Sequence, residues 1–353
     1  MGNPKPFRVV VWGAGSWGTA LAVLLARNGA EVTLCGRTCG DVSALGSDHE
    51  NRRYLPGCEI PANVTFGLIG DRHEPFDLAV MAVPSDGVAE TAQQTVGLAP
   101  VVVIASKGLD PATGDVLSAL VERADPCATV AGLSGPNLAV EIVRGVPTVA
   151  VAACPDAAVA DAVARAFNSP WFRVYTSDDL VGVELAGALK NVLAIGAGLS
   201  DGLGYGDNTK AALVARGLNE MTRLGAASGA RPETFFGIAG VGDLFATANS
   251  RLSRNYRVGH ALGEGKTLAQ ALAEIGQVAE GVGTARAARH LAELRGVELP
   301  IHRAIAEVID GTFDPRHAVS LLMDRLPRRE TWPGVTIEAS ESPLTTSAPQ
   351  NHA

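Results

Sequence analysis

Apolar residues in the first half of the chain fall in short unbroken runs, while in the second half they recur at helical spacing. The runs Arg8–Trp12, Glu31–Cys35, Leu78–Val83, Val101–Ala105, Thr129–Leu133, Thr148–Ala153 and Phe172–Tyr175 include several that are continuously β-branched. Unbroken rather than alternating patterning predicts strands covered on both faces, as in a parallel sheet. Thr19–Asn28, Asp86–Gln94, Gly114–Arg123 and Asp156–Phe167 read as helices between them. This rhythm predicts an α/β, Rossmann-type doubly wound sheet.

Near Ser177 the pattern changes. Asp179–Gly198, Thr209–Ser228, Arg254–Leu262, Leu268–Ile275, Thr284–Arg295, Ile301–Ile309 and Ala318–Arg325 read as helices, and no strand is evident among them. The expected organisation is a nucleotide-binding domain over 1–178 and an all-α domain over 179–335. A Ser-, Thr- and Pro-rich tail over 336–353 is expected to be disordered.

A net charge of −8 argues against a nucleic-acid partner held by a general basic field. No unbroken apolar run approaches the ~18 residues of a membrane span. Residues 1–7 have no signal-peptide core, and Cys35, Cys39, Cys58, Cys127 and Cys154 form no CxxC pair. Reduced cytoplasmic thiols are therefore expected, with no metal site and no disulfide framework.

The first candidate chemistry is the turn after the first strand, Gly13-Ala14-Gly15-Ser16-Trp17-Gly18. In such a turn Gly13 permits the bend, Gly15 lets backbone approach a pyrophosphate, and Gly18 lets helix and strand pack closely. The helix N-terminus then attracts the anion. At the end of the second strand, where NAD-selective sites carry an acid, the chain has Arg37. Arg37 is either a clamp for a 2′-phosphate, making NADP preferred over NAD, or a solvated surface arginine.

Four further polar clusters follow. Lys107 and Gly135-Pro136-Asn137 each follow a strand at its carboxyl end, where open α/β sheets bind ligands. Lys190 has Ala186, Gly187, Leu193 and Ala194 as its helical neighbours. It is either a buried lysine with a shifted pKa or one that snorkels from the helix edge. Asp243 and Ser253 suit helix caps. Yet Ser253-Arg254-Asn255 also assembles a hydroxyl, a guanidinium and an amide at a helix start, which suits a phosphate.

The opening GAGSWGTALA, then SKGL, SGPN, ELAGALKN, GVGDL, SRN and VAEGV, resemble in order and spacing the bacterial-type NAD(P)-dependent glycerol-3-phosphate dehydrogenases. The resemblance covers nearly the whole chain. It implies reversible hydride transfer between NADPH or NADH and dihydroxyacetone phosphate, giving sn-glycerol 3-phosphate for glycerophospholipid synthesis. It also implies Lys190 as catalytic residue, and a cofactor lined by Ser16, Trp17, Arg37, Lys107, Ala139, Arg254, Val278 and Glu280. The implied substrate contacts are Lys107, Gly135, Asn137, Lys190, Asp243, Ser253, Arg254 and Asn255. The family usually has Ser where this chain has Asn137. A homodimer through the helical domain is plausible on this reading. A β-hydroxyacid dehydrogenase and a non-catalytic NADP-binding sensor are the competing readings. A substrate panel with and without phosphate separates the first, and a turnover assay the second.

Overall fold

The computed structural model describes residues 7–71 and 74–324, so Arg325 and the expected 336–353 tail lie outside the described residues. Among the described residues eight strands form one sheet: β1 (Arg8–Trp12), β2 (Glu31–Gly36), β3 (Val64–Leu68), β4 (Leu78–Met81), β5 (Val101–Ile104), β6 (Thr129–Ser134), β7 (Thr148–Ala153) and β8 (Phe172–Ser177). Their order is β3-β2-β1-β4-β5-β6-β7-β8. The chain runs outward from β1 through β2 to β3, then returns to β4 on the other side of β1. That reversal places the glycine turn after β1 at a topological switch point, where open α/β sheets bind ligands.

The all-parallel expectation holds only through β6. β7 pairs antiparallel with β6, and β8 runs parallel to β7. The 13-residue link from Ser134 to Thr148 carries only the five-residue helix Ala139–Val143, short for a parallel crossover. β3 escaped the sequence reading because Val64-Thr65-Phe66-Gly67-Leu68 is a half-exposed edge strand. The glycine- and serine-rich helix Cys39–Asp48 escaped it through low helix propensity.

After β8 the chain enters the helix Leu180–Gly202, the axis of the helical domain and buried along almost its whole length. No unbroken apolar run here reaches the ~18 residues of a membrane span, although by length and mean composition this helix passes as one. One 18-residue window of this helix has mean hydropathy 1.5. Glu184 and Lys190 keep its apolar residues from forming one unbroken run. That window is 89% buried inside the protein, as in a core helix.

The central helix packs backbone to backbone on helix Arg254–Gly263. A Cβ on Gly259 would lie 1.8 Å from the Ile195 carbonyl oxygen, and one on Gly198 would lie 2.0 Å from that of Tyr256. Neither helix tolerates a side chain there, so the start of Arg254–Gly263 is carried up to the central helix. Helices Asp207–Ala227, Glu280–Arg295 and Pro300–Ile309 complete the shell. Helix Pro315–Met323 closes it, starting three residues earlier than expected.

Candidate active site

Three elements meet at one carboxylate. Lys107 follows β5, Lys190 lies midway along the central helix, and Asp243 opens the helix Asp243–Asn249. Lys107 Nζ donates to Asp243 Oδ2 at 2.8 Å and to the Gly135 carbonyl at 2.7 Å. Lys190 Nζ donates to Asp243 Oδ1 at 3.0 Å and to Thr247 Oγ1 at 2.6 Å. Lys190 is 5% exposed, which settles the choice between burial and snorkelling. Asp243 does not cap its helix, since Gly242 holds the cap position without a side-chain bond.

Burial pushes the Lys190 ammonium down to about 8, and Lys107 and Arg254 push the same way against Asp243. Burial alone would raise the Asp243 carboxyl, but the two ammonium groups outweigh it and hold it below the usual range. A lysine with a pKa near neutrality beside a fixed carboxylate suits proton transfer at physiological pH.

The segment before Asp243 explains why sequence reading missed Thr247. Ile238–Gly242 forms a π-helical turn, and a Cβ on Gly240 would lie 2.1 Å from the Phe235 carbonyl. Glycines hide this turn as a loop, and with it the helical phase that puts Thr247 one turn beyond Asp243. Asn191 was likewise missed, though it adjoins Lys190. Asn191 Nδ2 donates to the Lys107 carbonyl at 3.3 Å, and its Oδ1 accepts from Asn255 Nδ2 at 2.8 Å. Asn255 Oδ1 in turn accepts the Gly281 amide at 3.0 Å. Asn255 is thus joined to protein groups at both ends of its side-chain amide.

Ser253 caps its helix by accepting from the Tyr256 amide at 3.2 Å, as its sequence position suggested. Arg254, the next residue, is held below its ordinary pKa by burial, with Glu280 opposing. Glu280 opens helix Glu280–Arg295, and both its oxygens engage Ser85, at 3.3 Å from the amide and 2.6 Å from the hydroxyl. Val278, just before it, is half exposed. On the sheet side Gly135 has φ +147°, Asn137 Nδ2 donates to the Val149 carbonyl at 2.9 Å, and Ala139 begins the next short helix.

The glycine turn fits a dinucleotide. Gly13 has φ +111°, and a Cβ on Gly18 would strike the Gly13 carbonyl oxygen at 1.9 Å. Among the described residues nothing lies within 4 Å of a Cβ placed on Gly15, and no side chain caps the helix that starts at Ser16. Backbone is therefore open to an anion at this helix N-terminus. The Trp17 indole is committed to the Ala105 carbonyl at 2.8 Å, which leaves its backbone for such a contact. Arg37 is exposed at the end of β2, one strand away from Gly13. Lys107, Gly135, Lys190 and Asp243 are linked by hydrogen bonds, Arg254 acts on Lys190 through its charge, and Glu280 acts on Arg254 in the same way; Arg37 and Val278 are exposed.

The chain is similar to known proteins along most of its length. Residues 8–160 match the N-terminal model of NAD-dependent glycerol-3-phosphate dehydrogenase, and residues 179–320 match its C-terminal model. A glycerol-3-phosphate dehydrogenase [NAD(P)+] of Desulfitobacterium hafniense is 44% identical over 98% of this chain and 99% of its own length. One from an Acidovorax species is 45% identical over 92% of this chain and 99% of its own. The crystal structure of the Coxiella burnetii glycerol-3-phosphate dehydrogenase superposes with TM-score 0.87 at 35% identity, over 91% of this chain and all of that one. The chain belongs to the NAD-dependent glycerol-3-phosphate dehydrogenase family.

Proposed function

We propose that this protein reduces dihydroxyacetone phosphate to sn-glycerol 3-phosphate, reversibly, with Lys190 as the proton-transferring residue. The Lys107–Asp243–Lys190 cluster at the carboxyl ends of the strands carries this reading. Gly13, Gly15, Ser16, Trp17 and Gly18 hold the cofactor pyrophosphate, and Arg37 holds its adenosine end, favouring NADP over NAD. Ala139, Val278 and Glu280 border the same ligand. The cofactor, when bound, supplies the hydride.

As negative charge grows on the substrate carbonyl oxygen, the Lys190 ammonium stabilises it and then gives up its proton. In the reverse direction neutral Lys190 takes the hydroxyl proton, which a pKa of about 8 makes feasible near neutrality. Asp243 keeps both lysines aimed. Lys107, Gly135 and Asn137 line the substrate from the sheet side. Ser253, Arg254 and Asn255 face its phosphate from the helical side, with the Arg254 guanidinium as the main counter-charge. The product suits glycerophospholipid synthesis, and a cytoplasmic location and a homodimer fit the family.

The test is NADPH oxidation followed with dihydroxyacetone phosphate, with dihydroxyacetone and with β-keto acids. Turnover confined to the phosphate ester supports the reading. Preference for the keto acids favours a β-hydroxyacid dehydrogenase, and no turnover with any favours a sensor.

A further inference from the structure

The loop from Lys107 to Ser118 is gripped at both ends by the central helix. At one end Asn191 Nδ2 holds the Lys107 carbonyl at 3.3 Å. At the other, Glu184 accepts the Ser118 amide at 2.9 Å and also the Ser118 hydroxyl. Glu184 and Asn191 are seven residues apart, about 10.5 Å along the same helix face. Between them Gly187 leaves room for the sheet side: a Cβ there would lie 2.7 Å from Ser134 Oγ and 3.7 Å from Lys107 Cγ. The two limbs of the loop are themselves tied by an antiparallel bridge between Leu109 and Val116 and by the Asp110 amide bonding the Asp115 carbonyl at 2.9 Å. These ties connect the Ser118 end of the loop to the Lys107 end.

We propose that Glu184 is a positioning residue: it clamps the Ser118 end of this loop and so sets where the Lys107 ammonium meets Asp243 and Lys190. The inference rests on Lys107 and Lys190 acting in the reaction as described above. Two features favour a role beyond holding the domains together. Glu184 is buried and spends its carboxylate on Ser118 and the Leu117 amide, at the start of helix Leu117–Ala124. A carboxylate buried this way is costly, and an apolar contact would join two domains with less penalty. Second, the loop it holds ends at a charge that acts on Lys190.

The groups facing Glu184 are the Ser118 hydroxyl, the Ser118 and Leu117 amides and the acidic Glu122, and burial pushes its carboxyl up to about 7. Those facing Lys190 are Asp243, Lys107 and Arg254. If Lys107 withdraws, Lys190 loses a repelling charge and gains a larger share of Asp243, so its pKa rises.

The test compares the full-length chain with Glu184→Gln, Ser118→Ala, the double variant and Lys107→Met. KM for dihydroxyacetone phosphate, the pH profile of kcat for reduction and the thermal midpoint are measured for each. Glu184→Gln should raise KM about tenfold and move the basic limb upward by about half a pH unit or more. Ser118→Ala should shift both in the same direction by less, and the double variant should add nothing to Glu184→Gln. A lowered thermal midpoint with KM and limb unchanged would overturn the clamp. Should Glu184→Gln not fold, Ser118→Ala decides alone, and wild-type KM and limb in that variant contradict the proposal. Lys107→Met separates the two levels: if it alters KM and the limb while the Glu184 and Ser118 variants do not, the clamp alone fails. If Lys107→Met itself behaves as wild type, the site assignment fails and the clamp with it.

Discussion

Lys190 and Asp243 meet at 3.0 Å although 53 residues separate them and they stand on different helices. Each is buried, and each makes the other tolerable: an ammonium or a carboxylate alone in that interior would cost several kcal/mol. The pairing holds a proton donor whose pKa lies far below that of a free lysine, at a fixed place above the strand ends.

Replacing Lys190 by Met should lower kcat by about 10²–10⁴-fold, the usual worth of general acid–base help. NADPH binding, followed by its fluorescence on titration, should persist, because the glycine turn lies on another element. Near-normal turnover in the variant would contradict the assignment.

The pH dependence has a definite sign. Reduction needs the ammonium, so its kcat should fall as pH rises through about 8; oxidation needs the neutral amine and should rise over the same interval. Asp243→Asn removes the charge that supports the ammonium, so the surviving activity should show its midpoint moved to lower pH. Steady-state profiles in both directions check this, and a midpoint near that of free lysine would exclude Lys190 as the titrating group.

Arg254→Ala should raise the KM for dihydroxyacetone phosphate steeply, by about 10²-fold for loss of a charge-assisted phosphate contact of roughly 3 kcal/mol. Ser253 carries the helix cap, so the thermal midpoint should move little. A fall in stability with unchanged KM would assign Arg254 to the fold instead.

Arg37→Ala should weaken NADPH more than NADH. The ratio of kcat/KM for the two cofactors is the readout, with a change of about tenfold or more for a lost guanidinium–phosphate pair. An unchanged ratio would leave Arg37 as a surface residue.

Gly259→Ala tests the helix packing that brings Arg254 to the site. The new methyl meets the Ile195 carbonyl at 1.8 Å, which only a backbone shift relieves. A loss of about 1–3 kcal/mol or more is expected in denaturant unfolding, together with a raised substrate KM.

Much of this site is written locally, and that is why it was legible. The β1 turn needs only a strand, three glycines and a helix start within eleven residues of sequence. Lys190 betrayed itself as a charge on an apolar helix face. Thr247 did not, because a π-helical turn resets the helical phase between Gly237 and Asp243, and nothing in a glycine-rich stretch announces that. The reversal of β7 was equally hidden, since strand direction is a choice of tertiary packing. The grips of Glu280 on Ser85 and Glu184 on Ser118 join residues 195 and 66 apart in sequence. Only the folded chain shows that these glutamates face helix starts rather than solvent.

The most direct test of the central claim is an absorbance trace of NADPH with dihydroxyacetone phosphate and the purified protein, run beside its Lys190→Met variant. The account predicts steady NADPH loss with the wild type and a rate lower by about 10²-fold or more with the variant. Equal rates from the two proteins, or no NADPH loss from either, would contradict it.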